Sequence, residues 1–349
     1  MARSRPGPLN LITDIAGLAV GQASDELART GVTVILPDRR TACAVDSRGG
    51  APGTRETDAL AQENLVEEVD AIVLSGGSVY GLAAADAVVA TLGAQGRGYS
   101  LASGAPPAPV VPAAILYDLA NGGAKNWGDR PPYHGLGVAA LQAASTRFEL
   151  GSAGAGFGAR AGGLQGGLGS TSVATADGFT VGAIAAVNSM GSVLVPGTRT
   201  FWASRLEIGG EFGRGRLGEA RVRPDQWGLA KRDSSPGANT TIACVATDAA
   251  LGRRELKRIA IMAHDGLAMA IRPCHTPFDG DVVFSLATGS RPAPEPRALL
   301  VARLGALAAD CLARAVARAV YEARSRPNGP PAFRDFAREG PSLRPRRRG

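Results

Sequence analysis

The sequence is short of the residues on which many catalytic and metal-binding motifs depend. Only three histidines and four cysteines occur among its 349 residues, and no two cysteines form a CxxC pair. The histidines do not stand at metal-ligand spacing from the cysteines, so we expect neither a metal site nor a cofactor. No histidine accompanies a GxSxG turn, and a histidine-based catalytic triad therefore has no support.

Aromatic residues and long apolar runs are also scarce. Aromatic residues make up 5% of the chain, so the core must consist mainly of Ala, Val, Leu and Ile. No run of about 20 apolar residues occurs, which argues against a transmembrane helix. The N-terminus lacks the apolar stretch of a signal peptide, and we expect a cytoplasmic protein without a membrane partner.

The net charge is +7, with much of the excess in the closing stretch PSLRPRRRG. Basic charge can indicate nucleic-acid binding. No basic stripe here is interleaved with aromatic residues, so we interpret the excess as a solvated tail and expect no nucleic-acid partner. Pro, Arg and Gly dominate from residue 325 onward, which predicts disorder over about 325–349.

Small residues and strand-forming segments are abundant. Glycine accounts for 47 residues and hydrophobic residues for 45% of the chain, which is enough apolar material for one large core. TGVTVILPD and TACAVDSRGG look like a hairpin pair. Helices are predicted in LGRRELKRIAIMAHDGLAMAI and over about 296–324. The pattern predicts an α+β fold in which helices cover sheets.

Two glycine clusters are compared with anion-binding turns. In the first, Gly76, Gly77 and Ser78 follow a predicted strand at 71–74 and precede an Ala-rich helix. Free N–H groups in such a turn can hold an anion or an oxyanion, and equally the glycines can serve close helix–sheet packing. The second cluster spans 151–172 and leads into a strand, which excludes a dinucleotide-binding fingerprint.

The segment SSPGANTTIACVATDA passes from a turn-rich loop into an apolar strand at Asn239 and Thr240. If the bond between them were cut, Thr240 would combine a nucleophilic hydroxyl with a free α-amine of pKa about 7.7–8.0, suited to act as a base. On the residues alone, a turn followed by β-branched strand residues explains the same sequence and is the commoner arrangement.

Asp279 and Asp281 flank Gly280 in the segment HTPFDGD. Two acids two residues apart point the same way on an extended segment, where they could hold an ammonium group or tune a proton transfer. In a turn they could equally form an Asx-turn pair, and the segment is too short for an EF-hand. The residues by themselves leave both interpretations open.

Taken in order, the motifs resemble the self-cleaving peptidase family that includes L-aminopeptidase/D-esterases, β-peptidyl aminopeptidases and 6-aminohexanoate-oligomer (nylon-oligomer) hydrolases. The resemblance covers nearly the whole chain apart from the leader and tail. The Asn-Thr junction and the HTPFDGD loop are most similar to the nylon-oligomer branch. The matching segments are LITDIAGLAVGQA, AVDSRGGAPGTRETD, DAIVLSGGSVYGL, VVPAAILYDL, GAGFGARAGG, AAVNSMGSV, NTTIACVATDA and HTPFDGDVVFSLATG.

This resemblance implies an N-terminal-nucleophile-like hydrolase with a layered α/β/β/α fold in a single domain. The precursor would cut itself between Asn239 and Thr240, leaving an α-chain of residues 1–239 and a β-chain of residues 240–349. The resemblance also implies a small peptide or amide-oligomer substrate. It further implies a homo-oligomer, most simply a tetramer of αβ units.

The same resemblance assigns roles to single residues. Thr240 would attack the substrate amide to give an acyl-enzyme, and Asn188 and Tyr117 would hold the oxyanion or the substrate. Asp279 would set the pKa and orientation of the Thr240 α-amine, with Asp281 in support.

One departure from the family pattern concerns a lysine near the second glycine cluster. The corresponding positions are Gly163 and Gln165, so this cation is missing there, and Arg160 is a candidate substitute. The stretch ARVRPDQWGLAKRDSSPGA lacks periodicity and is interpreted as an exposed linker. Two other functions remain. One is an acyltransferase of the ornithine acetyltransferase kind, which also uses a self-exposed threonine, and the other is an uncleaved relative that only binds a ligand, which the missing lysine keeps open.

Overall fold

The computed structural model describes residues 4–216, 222–223, 225–232 and 237–338. Within these ranges the α-helices are α1 Ala83–Ala94, α2 Tyr133–Gln142, α3 Arg253–Ala270, α4 Arg297–Tyr321 and α5 Phe333–Arg338. The strands are β1 Leu18–Asp25, β2 Thr30–Pro37, β3 Thr41–Ser47, β4 Thr54–Arg55, β5 Glu68–Val69, β6 Ile72–Ser75, β7 Ala113–Ile115, β8 Arg160–Ala161, β9 Leu164–Gln165, β10 Gly167–Ala174, β11 Thr180–Asn188, β12 Thr240–Ala249 and β13 Val282–Arg291.

Two large sheets stack face to face, and each carries helices on its outer side. The first sheet has the strand order β1-β2-β6-β7-β4, and the second has the order β10-β11-β12-β13-β3-β5. Helices α1 and α2 cover the first sheet, while α3 and α4 cover the second. The predicted α/β/β/α layering is confirmed. In the part of the chain that the structure describes, no helix combines the length and apolarity needed to cross a bilayer.

The central strands of the second sheet are buried on both faces. On β11, Val181 and Ala183 pack in the core beneath α3 and α4, while the intervening Ile184 and Ala186 pack between the two sheets. A strand covered on both sides has no polar face to show. For this reason β11 and β12 are near-continuous apolar runs rather than alternating ones.

The second sheet brings three chain segments to one end. β11 is antiparallel to β12, so its last residue, Asn188, lies opposite Thr240, the first residue of β12. β13 is parallel to β12 and pairs Val282 with Ile242. The loop that precedes β13 therefore reaches the sheet at the same end as Thr240.

The predicted hairpin between TGVTVILPD and TACAVDSRGG is wrong. β2 pairs with β1 and β6 in the first sheet, whereas β3 pairs with β13 and β5 in the second. Both strands turn apolar side chains into the space between the sheets, among them Ile35 on β2 and Cys43 on β3. Two facing sheets bury these apolar side chains better than a single two-stranded ribbon would.

The disorder predicted over about 325–349 does not hold for residues 325–338, which fold against the body of the protein. Phe333 at the start of α5 is buried, and its ring centroid lies 4.5 Å from that of Phe201 and 5.8 Å from that of Tyr321. Such aromatic contacts anchor a short segment that composition alone marks as polar. Residues 339–349 lie outside the described residues.

We expect Gly266→Ala on α3 to destabilise the fold. A Cβ at this position would lie 2.2 Å from the Ala309 carbonyl oxygen on α4, so the two helices would have to separate. The expected loss in the free energy of unfolding is about 1–3 kcal/mol, measured by urea titration with circular dichroism.

Gly135→Ala on α2 is the matched control for this helix contact. A Cβ there meets nothing within 4 Å, so the substitution should stabilise the helix by about 0.5–1 kcal/mol. A Gly266→Ala protein as stable as the parent would contradict the close approach of α3 and α4.

Candidate active site

Thr240 starts β12 at a buried position, and its hydroxyl faces the peptide bond before it. The hydroxyl donates a hydrogen bond to the carbonyl oxygen of Asn239, and the Gly280 N–H donates to the same oxygen at 3.0 Å. Asn239 is 0% exposed and Thr240 is 3% exposed. A hydroxyl beside its own peptide carbonyl, with an N–H donor on the carbonyl oxygen, is the arrangement needed for attack at that carbonyl carbon.

Gly280 allows this contact because it has no side chain. A Cβ at this position would lie 2.6 Å from the Ala51 carbonyl oxygen and 2.9 Å from Thr240 Oγ1. The glycine between the two aspartates therefore lets the backbone of the loop approach Thr240 directly.

Asn188 and Tyr117 are both brought to this end of the sheet. The Asn188 Nδ2 group donates to the carbonyl oxygens of Tyr117 at 3.0 Å and Ala238 at 3.3 Å. Its Oδ1 accepts the backbone N–H of Arg160 at 2.9 Å. The amide of Asn188 is thus oriented by three contacts, one of them to the residue before Asn239.

Asp279 is buried between its own loop and the segment that follows β11. One carboxylate oxygen accepts the Met190 N–H at 3.0 Å, and the other accepts the Thr276 hydroxyl at 2.5 Å. Burial, and then the negative charge of Asp281, raise the pKa of Asp279. Two buried carboxylates so close together favour a nearby cation, such as the α-amine that a cut before Thr240 would create.

Asp281 holds the start of β12 and pairs with a histidine that sequence reasoning did not use. Its Oδ1 accepts the Thr241 N–H at 2.7 Å, and its Oδ2 lies 2.8 Å from His275 Nδ1. Burial lowers the pKa of His275, but the hydrogen bonds and charge interactions with Asp281 and Cys274 together outweigh it and raise the pKa to about 10. Asp281 and His275 therefore form an ion pair at neutral pH.

Lys231 is a second functional candidate that sequence reasoning missed. Its ammonium group donates to Asn239 Oδ1 at 2.9 Å. Burial, and then the positive charge of Arg160, lower the pKa of Lys231 to about 7, although Asp279 opposes the shift. A neutral amine is therefore populated near pH 7 beside the residue whose carbonyl Thr240 faces.

Neither of the two positions at which the resemblance predicts a lysine supplies a cation to this site. Gly163 lines the cavity described below, and Gln165 is buried, donating from Nε2 to the Ala159 carbonyl at 2.8 Å. Lys231 instead comes from GLAKRD, in the stretch interpreted as an exposed linker, and that interpretation is wrong for this residue. No periodicity or motif marks Lys231, because only the folded chain brings it to Asn239.

The first glycine cluster, Gly76–Ser78, does not line the cavity described below. The N–H groups of Gly76 and Ser78 donate to main-chain carbonyls at 2.9 Å, and the Gly77 N–H donates to Asp118 Oδ1 at 2.8 Å. All three donors are used within the protein, which leaves none for an oxyanion. The cluster acts on the site indirectly, because it holds the carboxylate of Asp118.

A cavity of about 600 Å³ opens beside Asn239, with Tyr117 and Asn188 in its wall. Its charged lining contains Arg160, Lys231, Arg232 and Asp118. Asp118 is the one carboxylate among the described lining residues, and burial raises its pKa to about 6 despite a hydrogen bond from Thr30. The volume suits a small amide or a short peptide.

Known proteins resemble this chain over nearly its whole length. The model of peptidase family S58 matches residues 10–329. An uncharacterized aminopeptidase of Mycobacterium tuberculosis (strain ATCC 25618 / H37Rv) is 45% identical over 352 residues, covering 94% of this chain and 98% of its own. A 6-aminohexanoate-oligomer endohydrolase of Kocuria sp. (strain KY2) is 30% identical over 284 residues, covering 79% and 74%. Identity thus places the chain nearer to the mycobacterial aminopeptidases than to the nylon-oligomer hydrolases.

Solved structures show the same fold at low sequence identity. A β-aminopeptidase of Burkholderia sp. superposes with a TM-score of 0.72 at 21% identity, covering 97% of this chain and 94% of its own. The L-aminopeptidase D-Ala-esterase/amidase of Ochrobactrum anthropi, a variant of the N-terminal-nucleophile hydrolase fold, gives 0.66 at 20% identity, covering 96% and 94%. The chain therefore belongs to peptidase family S58 and is a hydrolase of peptide or amide bonds.

Proposed function

We propose that this chain is a self-processed amide hydrolase that cuts its own Asn239–Thr240 bond and then uses Thr240 on its substrates. The observation that supports this most strongly is the convergence of the Thr240 hydroxyl and the Gly280 N–H on the Asn239 carbonyl oxygen. Maturation would leave chains of residues 1–239 and 240–349.

Self-cleavage needs a base other than the α-amine of Thr240, because in the uncut chain that nitrogen is part of the amide. Lys231 is the proposed base, because its Nζ lies 2.9 Å from Asn239 Oδ1 and its pKa of about 7 leaves a neutral fraction. As Thr240 Oγ attacks the Asn239 carbonyl carbon, the hydroxyl proton passes to Lys231. The Gly280 N–H stabilises the resulting oxyanion from 3.0 Å.

Collapse of this tetrahedral intermediate breaks the carbon–nitrogen bond of the peptide. Lys231 returns the proton to the departing nitrogen of Thr240, which becomes a free amine. The acyl group of Asn239 is left as an ester on the threonine oxygen. Water hydrolyses this ester, giving a new carboxyl terminus at Asn239 and a free Thr240 hydroxyl.

In the mature enzyme the α-amine of Thr240 takes over as the base, with an intrinsic pKa of about 7.7–8.0. The buried carboxylates of Asp279 and Asp281 favour its charged form and orient it. Asn188 Nδ2, released from the Ala238 carbonyl, joins Gly280 as an oxyanion donor. Water then releases the acyl-enzyme formed on Thr240.

The proposed substrates are small peptides or ω-amino-acid oligomers. The relatives named aminopeptidase and 6-aminohexanoate-oligomer endohydrolase support this range, and so does a cavity of about 600 Å³. The proposed assembly is a homo-oligomer of αβ units, most simply a tetramer, in the cytoplasm.

Thr240→Ala is expected to abolish both chain cleavage and amide hydrolysis, because it removes the attacking hydroxyl. Denaturing electrophoresis with N-terminal sequencing should show a chain beginning Thr240-Thr241-Ile242 for the parent and one intact chain for the variant. Turnover of aminoacyl p-nitroanilides should fall to background.

Thr241→Val serves as the matched control on the same strand. Thr241 is 0% exposed, and its hydroxyl has no hydrogen-bond partner among the described residues, so this variant should still cut itself. A Thr240→Ala protein that cleaves or turns over anilides would refute the nucleophile assignment. Acyl transfer to glutamate or ornithine with negligible transfer to water would favour the acyltransferase instead.

The rate of self-cleavage should rise as the pH increases through about 7, because Lys231 acts as a base only when it is neutral. Lys231→Arg keeps a positive charge but stays protonated in this range, so cleavage should slow at least about 100-fold. Refolding the denatured precursor between pH 5.5 and 8.5 and following the appearance of the two chains measures both effects. A Lys231→Arg protein that cuts itself at the parental rate at pH 7 would show that self-cleavage needs a positive charge at this position and not a base.

A further inference from the structure

A second cavity of about 450 Å³ adjoins the one beside Asn239. Three arginines line it, Arg29, Arg160 and Arg326, and we refer to it as the arginine annex. Among its described lining residues there is no aspartate or glutamate. The two cavities share four lining residues, Ala120, Asn121, Gly158 and Arg160.

The arginines of the annex are held in ways that leave hydrogen-bond donors available. The guanidinium carbon of Arg326 lies 3.5 Å from the centroid of the Phe157 ring, a stacked contact that occupies its face and leaves its N–H edge open. Arg29 gives one donor, Nη1, to the Asn121 carbonyl at 3.2 Å. Within the described parts of the chain, no carboxylate forms an ion pair with either side chain.

Electrostatics points to an anion in this space. Burial, and then the positive charge of Arg29, lower the pKa of Arg326 to about 10, while Glu26 opposes the shift only in part. Clustered guanidinium groups repel one another, and a bound carboxylate would relieve the repulsion through paired N–H···O bonds.

The neighbouring cavity is also lined by more positive than negative side chains. Arg160 and Arg232 carry positive charge there, Lys231 adds to it when protonated, and Asp118 is the one carboxylate among the described lining residues. Across the two cavities, the described lining residues therefore favour a negatively charged substrate over a positively charged one.

We propose that the arginine annex binds a carboxylate that the substrate carries at a distance from the amide being cut, so that the enzyme prefers acidic amides to their neutral counterparts. This proposal rests on the proposed function, since it takes the nucleophile to be Thr240, which directly follows Asn239 in the wall of the adjoining cavity. The carboxylate can belong to the acyl part or to the amine part of the substrate. In both cases the recognition is a charged, forked hydrogen bond from arginine.

Two pairs of substrates separate these sources. L-Glutamic acid α-(p-nitroanilide) and its γ-methyl ester differ in a carboxylate on the acyl part, while alanyl-4-aminobenzoate and its ethyl ester differ in one on the amine part. For the processed parent enzyme, kcat/KM should be about tenfold higher for the acid than for the ester in one pair. The pair that shows the preference identifies the side of the amide that faces the annex.

Arg326→Gln and, as a second variant, Arg29→Gln should each bring that ratio close to one. Arg324→Gln is the matched control, because it removes the same charge only two residues from Arg326. The Arg324 side chain lines a different cavity, so this variant should keep the parental ratio. Measuring a ratio within one processed protein cancels differences in the active fraction.

Acid-to-ester ratios near one for both pairs in the parent would overturn the annex while leaving amide hydrolysis established. An undiminished preference in both Arg326→Gln and Arg29→Gln would do the same. A parent that cuts none of the four substrates, with no chain beginning at Thr240, would contradict the proposed function and the annex proposal with it.

Discussion

The hydrogen bond from the Gly280 N–H to the Asn239 carbonyl oxygen joins the two segments on which the site depends. It forms because β12 and β13 are parallel neighbours, so the loop before β13 meets the start of β12. The antiparallel pairing of β11 adds Asn188 directly opposite Thr240. A shift of one residue in either pairing would turn alternate side chains to the wrong face. The geometry of the site is therefore a consequence of strand register in the second sheet.

Periodicity in the sequence was enough to predict the elements that carry most of the core. The amphipathic α3, the long α4 and the apolar strand β12 all lie where the pattern placed them, because packing against a sheet requires that pattern. Strand pairing was harder to predict. β2 and β3 are adjacent in the sequence and both apolar, yet they belong to different sheets, since each contributes one face to the same interior.

The candidate site likewise has residues that the sequence predicted and residues that it did not. Thr240, Asn188 and the two aspartates were predicted through ordered motifs shared with a family. Local residue chemistry alone left Thr240 and the aspartates with ordinary alternatives and did not single out Asn188. Lys231 lies in a stretch without periodicity, and the arginines of the annex come from three distant parts of the chain. Only the folded chain brings these cations together, so neither spacing nor composition could have revealed the grouping, although Arg160 alone was a candidate from the resemblance. Conversely, the sequence left the Gly76–Ser78 turn open between anion binding and close packing, and its N–H groups have partners within the protein.

In the uncut chain, Ala238 and Asn239 form part of the cavity wall. Under the proposed mechanism the protein is then a zymogen that carries its own inhibitor, since the segment before the cut occupies space that an outside substrate would need. Activation would be unimolecular, so its rate would not depend on protein concentration or on another protease. It would also await folding, because the Gly280 contact exists only once the parallel strands have paired. A newly made chain would thus have no hydrolase activity toward other proteins until it has folded.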